Sequence, residues 1–443
     1  MNIQLSDHFT YKKLLAYVLA PIAMMIFTSI YTVVDGLFVS NFVGKGPFTA
    51  LNLIMPLYMI IGAIGFMIGA GGSAIIAVTL GELRKEDANK HFSFLIYFVA
   101  ITGIVIAIIG ELVLPYSAKL LKAEGDLYAP YMVYGRLLFI GLPFFMLQNV
   151  FQTLFSVAQK PTLGFIFCVV AGVTNIVLDA VLVAGLKWGI AGAAVATSAS
   201  QVVGTVASLL YFSRENSSLL RLCKTKFEGK VLLKACANGS SEFVSNVAMS
   251  VVSIIFNLQL MKYAGEDGVA AYGVLMYLGF TFAAIYIGYS IGTAPIIGYN
   301  LGANSILELK NIFKKSIILM SIFGVVLTIS ANLLAYPLSK IFVGYDDHLL
   351  KMTQNAFHIY SFAFLFSGIN IFVSALFTAL NNGLISAIIS FSRTLVLQIL
   401  CVIILPIFLG ITGIWLSLFV AEIIAMIISI IFIFAYRKKY QYM

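Results

Sequence analysis

The sequence predicts an all-α polytopic membrane protein: twelve transmembrane helices in two pseudo-symmetric six-helix lobes around a central cavity. Three observations lead there. Apolar runs long enough to cross a bilayer recur between polar breaks, basic residues concentrate in alternate loops, and the second half of the chain repeats the first at a nearly constant offset. Composition agrees, since 61% of the 443 residues are hydrophobic and 10% charged. No soluble globular domain combines such values with a mean hydropathy of +1.02.

About 20 residues at 1.5 Å each cross the hydrocarbon. The runs that reach this length begin with Leu14–Ser40 and Thr49–Thr79, parted by Lys45. Ser93–Pro115 follows the Arg84 loop, Tyr128–Val157 follows Lys119 and Lys122, Thr162–Ala184 follows Lys160, and Ile190–Phe212 follows Lys187. Beyond a polar linker holding Arg221 come Leu232–Met261 and Gly268–Ile297, parted by Lys262. Ile312–Leu338 opens beside Lys314, Asn355–Leu380 follows Lys340 and Lys351, and Leu384–Phe408 and Thr412–Tyr436 complete the set. Several exceed the minimum, so tilts or bends are expected.

The N-terminus, the C-terminal tail and the loops around Arg84, Lys160, Arg221 and Lys314 hold eighteen of the 27 lysines and arginines, against seven in the opposite loops, which also carry six acids. The positive-inside rule then places both termini in the cytoplasm. The net charge of +9 is thereby explained as membrane topology, without nucleic acid as a partner. Cysteines 168, 223, 236 and 401 show neither a disulfide framework nor zinc spacing, and histidines 8, 91, 348 and 358 are scattered. The N-terminal stretch lacks a signal-peptide pattern, so the first span is expected to stay as its own insertion signal.

The segment 213–230 divides the chain into residues 1–212 and 231–443, expected to be an N-lobe, a cytoplasmic linker and a C-lobe. Shifted by 221, GGSAIIAVTLGELRKEDANKHF from Gly71 overlies GTAPIIGYNLGANSILELKNIF from Gly292, matching Leu80 to Leu301, Gly81 to Gly302 and Phe92 to Phe313. LFSVAQKP from Leu154 meets LFTALNNG from Leu376 at a shift of 222, and GIAG from Gly189 meets GITG from Gly410 at 221. Six spans per repeat is an even number, so the halves share one orientation and are related by an axis along the membrane normal, with substrate expected between them.

Charged groups in hydrocarbon cost at least about 2.5–3.5 kcal/mol and default to a functional reading. In span five Asn175 and Asp179 are four residues apart, hence on one helix face. Asp35 in span one and Thr197 in span six fall within about 6 Å of the same depth, in the outer half. Two carboxylates, an amide and a hydroxyl form an all-oxygen set of the kind hard cations prefer. Carboxylates held close titrate as a unit and share a proton when no metal ion is present, so Na+ and H+ compete for such a site. The second repeat lacks it, because Asp35 maps onto Phe256, Asp179 onto Leu400 or Cys401, and Thr197 onto Leu418.

Other intramembrane polar groups leave two readings open. Glu242 in span seven serves either transport or helix packing, and Gln148 and Asn370, repeat partners at a shift of 222, either line a cavity or bond between helices. Arg393 and Glu422 are expected to pair, and Arg136 and Glu111 to sit near the outer interface. Pro21 permits a bend in the helix that carries Asp35. Met55, Tyr58, Met59, Met276, Tyr277 and Phe280 could line an apolar pocket for lipophilic cations.

The stretches IYTVVDGLFVSNFVG in span one, GGSAIIAVTLGELRKEDANKHF after span two, NIVLD in span five and RTLV with LPIFLGITGIWLSLFVAE in the last two spans resemble the multidrug and toxic compound extrusion (MATE) transporters, in particular prokaryotic branches with an acidic N-lobe site. The resemblance covers essentially the whole chain. It implies a V-shaped pair of six-helix bundles that exports organic, often cationic compounds in exchange for Na+ or protons. It also implies that Asp35, Asn175, Asp179 and Thr197 bind the cation and that Pro21 is a hinge. In another branch of that family an acid in span seven, matched by Glu242, acts with an aspartate in span ten, where this chain has Asn370.

The expected protein is therefore a monomeric multi-pass antiporter of a prokaryotic plasma membrane, with Na+ or H+ as coupling ion, no other cofactor, and small organic substrates as partners alongside the lipid bilayer. The alternative is a flippase for lipid-linked saccharides of the same superfamily, which would need buried Arg or Lys for phosphate, where this chain offers Arg136 and Arg393. An enzyme is not expected, for lack of HExxH, an Asp-rich diphosphate motif or a nucleophile, base and orienter set.

Overall fold

The computed structural model describes residues 3–43, 45–121 and 123–443; Lys122, counted above with the outer basic residues, lies outside them. Among the described residues there is helix and no strand. In the first half α1 is Tyr11–Phe42, α2 Lys45–Gly81, α3 Lys85–Leu120 and α4 Tyr128–Val157. Helix α5, Pro161–Leu178, runs on as a π-helical turn over Asp179–Gly185, and α6 is Gly189–Ser213. In the second half one 74-residue element, Gly229–Gly302, turns at Gly265 (φ 63°, ψ −151°), which separates α7 (229–264) from α8 (266–302). Then come α9, Ile306–Val343; α10, in two pieces, Asp347–Ser361 and Phe364–Ala379; α11, from Gly383–Phe391 through a π-helical Ser392–Val396 to Leu397–Leu409; and α12, Ile411–Tyr440.

Ten elements are long and apolar enough to cross a membrane, and the two pieces of α10 make an eleventh crossing. A straight Gly229–Gly302 would measure about 110 Å, enough for two bilayers at 1.5 Å per residue. Counted on each side of Gly265, it brings the total to the expected twelve. The outward face of α3, with Ile101, Ile104, Val105, Ile108, Ile109 and Leu112 all exposed, takes lipid rather than water as its solvent.

Helix ends follow local chemistry. Thr10 caps α1 by accepting Lys13 N–H, and Asp346 caps α10 by accepting from His348 and Leu349. The repeat partners Gly189 and Gly410 both adopt φ near 60° (60° and 58°), giving α6 and α12 the same left-handed entry. Span ten is where the sharp bend falls, its two pieces meeting at 51°. No proline or glycine marks the break. Thr328 of α9 donates to the Ser361 carbonyl at 3.3 Å, taking the acceptor that an unbroken helix would use, and Asn332 holds the Ser361 hydroxyl at 2.8 Å.

The halves meet through glycines that are partners in the repeat. Gly81 lies against the Tyr299 carbonyl and Gly302 against the Val78 carbonyl, each too close to leave space for a Cβ. Gly71 is held likewise against Ala235 of α7, and its partner Gly292 against Val18 of α1. Reciprocal contacts of this kind define a pseudo-two-fold axis between α2 and α8. Helix α1 lies along α8 in antiparallel fashion, with Gly288 on the Pro21 carbonyl and Ser29 hydrogen-bonded to Thr281 at 2.6 Å. The start of the chain also leans on the second half, for Leu5, Phe9, Leu14 and Val18 share an apolar cluster with Tyr289, Ile296 and Phe372. Glu308 fastens it there by accepting from Phe9 N–H at 2.9 Å.

The seam predicts that Gly81→Val, which forces a side chain into backbone, costs about 1–3 kcal/mol or more. The melting temperature of purified protein should fall by several degrees, whereas Ile108→Leu on the lipid face should leave it unchanged. Equal melting of the two variants would refute the seam.

Candidate functional site

Helices α1 and α5 bring Asp35, Asn175 and Asp179 together, and α6 carries Thr197 at their level. The Asn175 carbonyl accepts the Asp179 N–H, so the last α-helical turn of α5 sets these side chains on one face before the wider π turn begins. π turns inside helices are frequent at functional sites. Asp35 is 9% exposed, Asn175 2% and Asp179 0%. The Asp35 carboxyl interacts directly with the side chains of both Asp179 and Asn175. Thr197 follows from register: Gly192 of α6 packs on Leu182 and Gly204 on Ala171, which sets Thr197 level with the turn between Asn175 and Asp179.

What marks the site is the absence of donors. Oδ1 of Asp35, both carboxylate oxygens of Asp179, Oδ1 of Asn175 and Oγ1 of Thr197 are buried and, among the described residues, accept from no protein group. Each orphaned buried polar atom costs about 1–3 kcal/mol, more when charged. Five such oxygens, on four residues near one level, leave a place rich in acceptors that a small positive species could fill. The donor set suits Na+, which needs oxygens only, and equally a proton shared between the carboxylates.

One residue escaped the sequence reading. Tyr134 of α4 is fully buried, its hydroxyl has no partner among the described residues, and it lies within the field of Asp35 and Asp179. Tyr131, one turn earlier, bonds Ser117 at 2.9 Å. Only the fold distinguishes the two tyrosines.

The remaining candidates stand apart from this set. Pro21 sits within an α1 that stays helical through it, with its carbonyl against Gly288. Glu242 on α7 makes no side-chain hydrogen bond among the described residues and faces the charge of Arg393. Gln148 lines a cavity of about 20 Å³, the space of one water, between α4, α5 and α6 with Gln152, Cys168 and Ser208. Its repeat partner Asn370 is fully buried and fully bonded, donating to Glu422 Oε2 at 2.7 Å and accepting from Ser429 at 2.9 Å. Arg393 and Glu422 pair as expected, at 2.8 Å, and Arg136 lies 3.8 Å from Glu111. Of the residues suggested for an apolar pocket, Tyr58 is buried and bonds Gln201 at 3.1 Å, while Tyr277 stacks on Phe342.

The MatE family model matches residues 21–181 and 243–404, two stretches that begin at repeat-related positions and together span well over half the chain. The chain belongs to the MatE family. It is accordingly a multi-span membrane transporter and not an enzyme. Among relatives, it is 27% identical over 433 residues to the multidrug export protein MepA of Staphylococcus haemolyticus, with 94% of this chain and 92% of that one covered. To MepA of Staphylococcus saprophyticus it is 25% identical over 426 residues, at the same coverage. Among solved structures, a MATE in complex with MaL6 superposes with a TM-score of 0.91 at 21% identity, covering 96% of each chain. An outward-facing multidrug resistance MATE transporter of the MOP superfamily gives 0.90 at 21% identity, covering 96% of this chain and 95% of that one. The two-lobe MatE fold is thus the fold of this chain.

The unpaired oxygens predict an unusual stability response. In sodium-free alkaline buffer Asp179→Asn should raise the melting temperature, because it removes one of two facing like charges. It should also abolish the stabilisation that sodium gives the wild type, about 2.7 kcal/mol at 100 times Kd. A destabilised variant that still responds to sodium would contradict the assignment.

Proposed function

We propose that this MatE-family chain is a cation-coupled antiporter that exports organic, cationic or amphipathic compounds by alternating access. The observation that carries the proposal is the set of five donorless oxygens on Asp35, Asn175, Asp179 and Thr197. Export of drugs is supported by the relatives named multidrug export proteins. Residues 1–212 and 231–443 serve as the two lobes and 213–230 as their linker, in a prokaryotic plasma membrane with both termini cytoplasmic.

Na+ or a proton entering from outside neutralises the Asp35 and Asp179 pair and draws α1 toward α5. The same helix lies along α8, through Ser29 and Thr281 and through Pro21 and Gly288, so a shift of α1 reaches the seam between lobes. Pro21 has no N–H to give the helix and is the place where α1 bends. The ion drives the cycle only by the difference in its affinity for the two states, and a swing from 1:99 to 99:1 takes about 5.5 kcal/mol. Release of substrate outward and of the ion inward then completes the exchange.

The lipid-linked saccharide reading finds little support. Its phosphates need free buried cations, and of the two basic residues inside the membrane Arg393 is bonded to Glu422 while Arg136 is well exposed beside Glu111.

Gradient-driven efflux from proteoliposomes provides the test. Asp179→Asn should reduce it to background with substrate binding retained. Thr197→Val should weaken ion affinity about tenfold, the effect of one lost bond to a charged species. Efflux by Asp179→Asn at the wild-type rate would defeat the proposal.

A further inference from the structure

The halves neutralise their buried carboxylates by opposite means. In the first half the oxygens of Asp179 find no donor among the described residues. In the second, Glu422 of α12 is 1% exposed and amply supplied: Arg393 Nε donates at 2.9 and 3.0 Å, Arg393 Nη2 at 2.8 Å and Asn370 Nδ2 at 2.7 Å. The Asn370 oxygen in turn accepts from Ser429 at 2.9 Å. Arg393 itself is largely buried, and its charge also reaches Glu242 of α7. Both π turns lie in repeat-related helices but at different levels: the one in α5 opens on Asp179, whose repeat partner is Leu400 or Cys401, whereas the one in α11 carries Arg393, whose partner is Gly172.

We propose that Arg393 is a tethered counter-ion, a guanidinium fixed in the chain that does in the second half what the coupling cation does in the first. This rests on the reading that Asp35 and Asp179 hold a cation. A planar guanidinium suits the role because it stays charged and grips a carboxylate with two parallel donors. The second half therefore cycles without taking up an ion, and the number of ions moved per substrate is set by the first half alone. Without Arg393, Glu422 and the nearby Glu242 lose their counter-ion, and their carboxyl oxygens become a place for a small monovalent cation or a proton.

The test counts ions bound to purified full-length protein, as sodium-22 at equilibrium or as protons taken up in sodium-free buffer. Arg393→Met should bind one more ion equivalent than the wild type. Arg393→Met combined with Glu422→Gln should return to the wild-type count, since buried ion pairs replaced on both sides by neutral groups are commonly tolerated. In an Asp179→Asn background the extra equivalent should persist while the original one disappears. A folded Arg393→Met with no added ion, or a double variant that misfolds or changes the count, would overturn the proposal. Should Asp179→Asn instead leave the wild-type count intact, it is the reading of the first site that fails, whatever Arg393→Met shows.

Discussion

Two carboxylates facing one another inside a helix bundle, with no donor to either Asp179 oxygen among the described residues, are the constraint on which the proposed working of this protein depends. One such charge in hydrocarbon costs at least about 2.5–3.5 kcal/mol, and a facing like charge adds to it. The helices carrying them can stay together only if something positive is bound there, or if one carboxylate holds a proton. Helix α1 carries Asp35 and also forms the contact with α8, which is why the proposed coupling runs from the site to the seam through this helix.

The duplication that built the fold survives where backbones touch and has been erased where ions would sit. Gly81 and Gly302 keep reciprocal contacts, and Gly189 and Gly410 the same turn. At the place of Asp35 the second half has Phe256, buried and stacked on Tyr272 at 4.9 Å between ring centroids. Backbone packing tolerates no side chain at those glycines, so both copies keep them. A cluster of polar side chains is under no such restriction and can differ between the copies.

Much of this was legible in the chain itself, because bilayer physics writes in large letters. Span number follows from apolar length, the repeat from a constant offset, and the facing of Asn175 and Asp179 from their spacing of four. Less legible was whatever depends on a second helix. The break in α10 originates in Thr328 and Asn332 of α9, not in any residue at Ser361 or Phe362. Tyr134 joins the acidic pair through packing that its neighbour Tyr131 does not share, and Asn370 is claimed by Glu422 and Ser429 of α12. The docking of Phe9 on Glu308 crosses nearly the whole chain, beyond the reach of any local pattern.

Infrared difference spectroscopy of the carboxyl stretch addresses the central claim most directly. A pair that shares a proton until a metal ion displaces it should show a protonated carboxyl band in sodium-free buffer, one that vanishes when sodium is added and is missing from Asp179→Asn. Carboxylates ionised throughout the mildly acidic to mildly alkaline range, with a spectrum indifferent to sodium, would contradict the account.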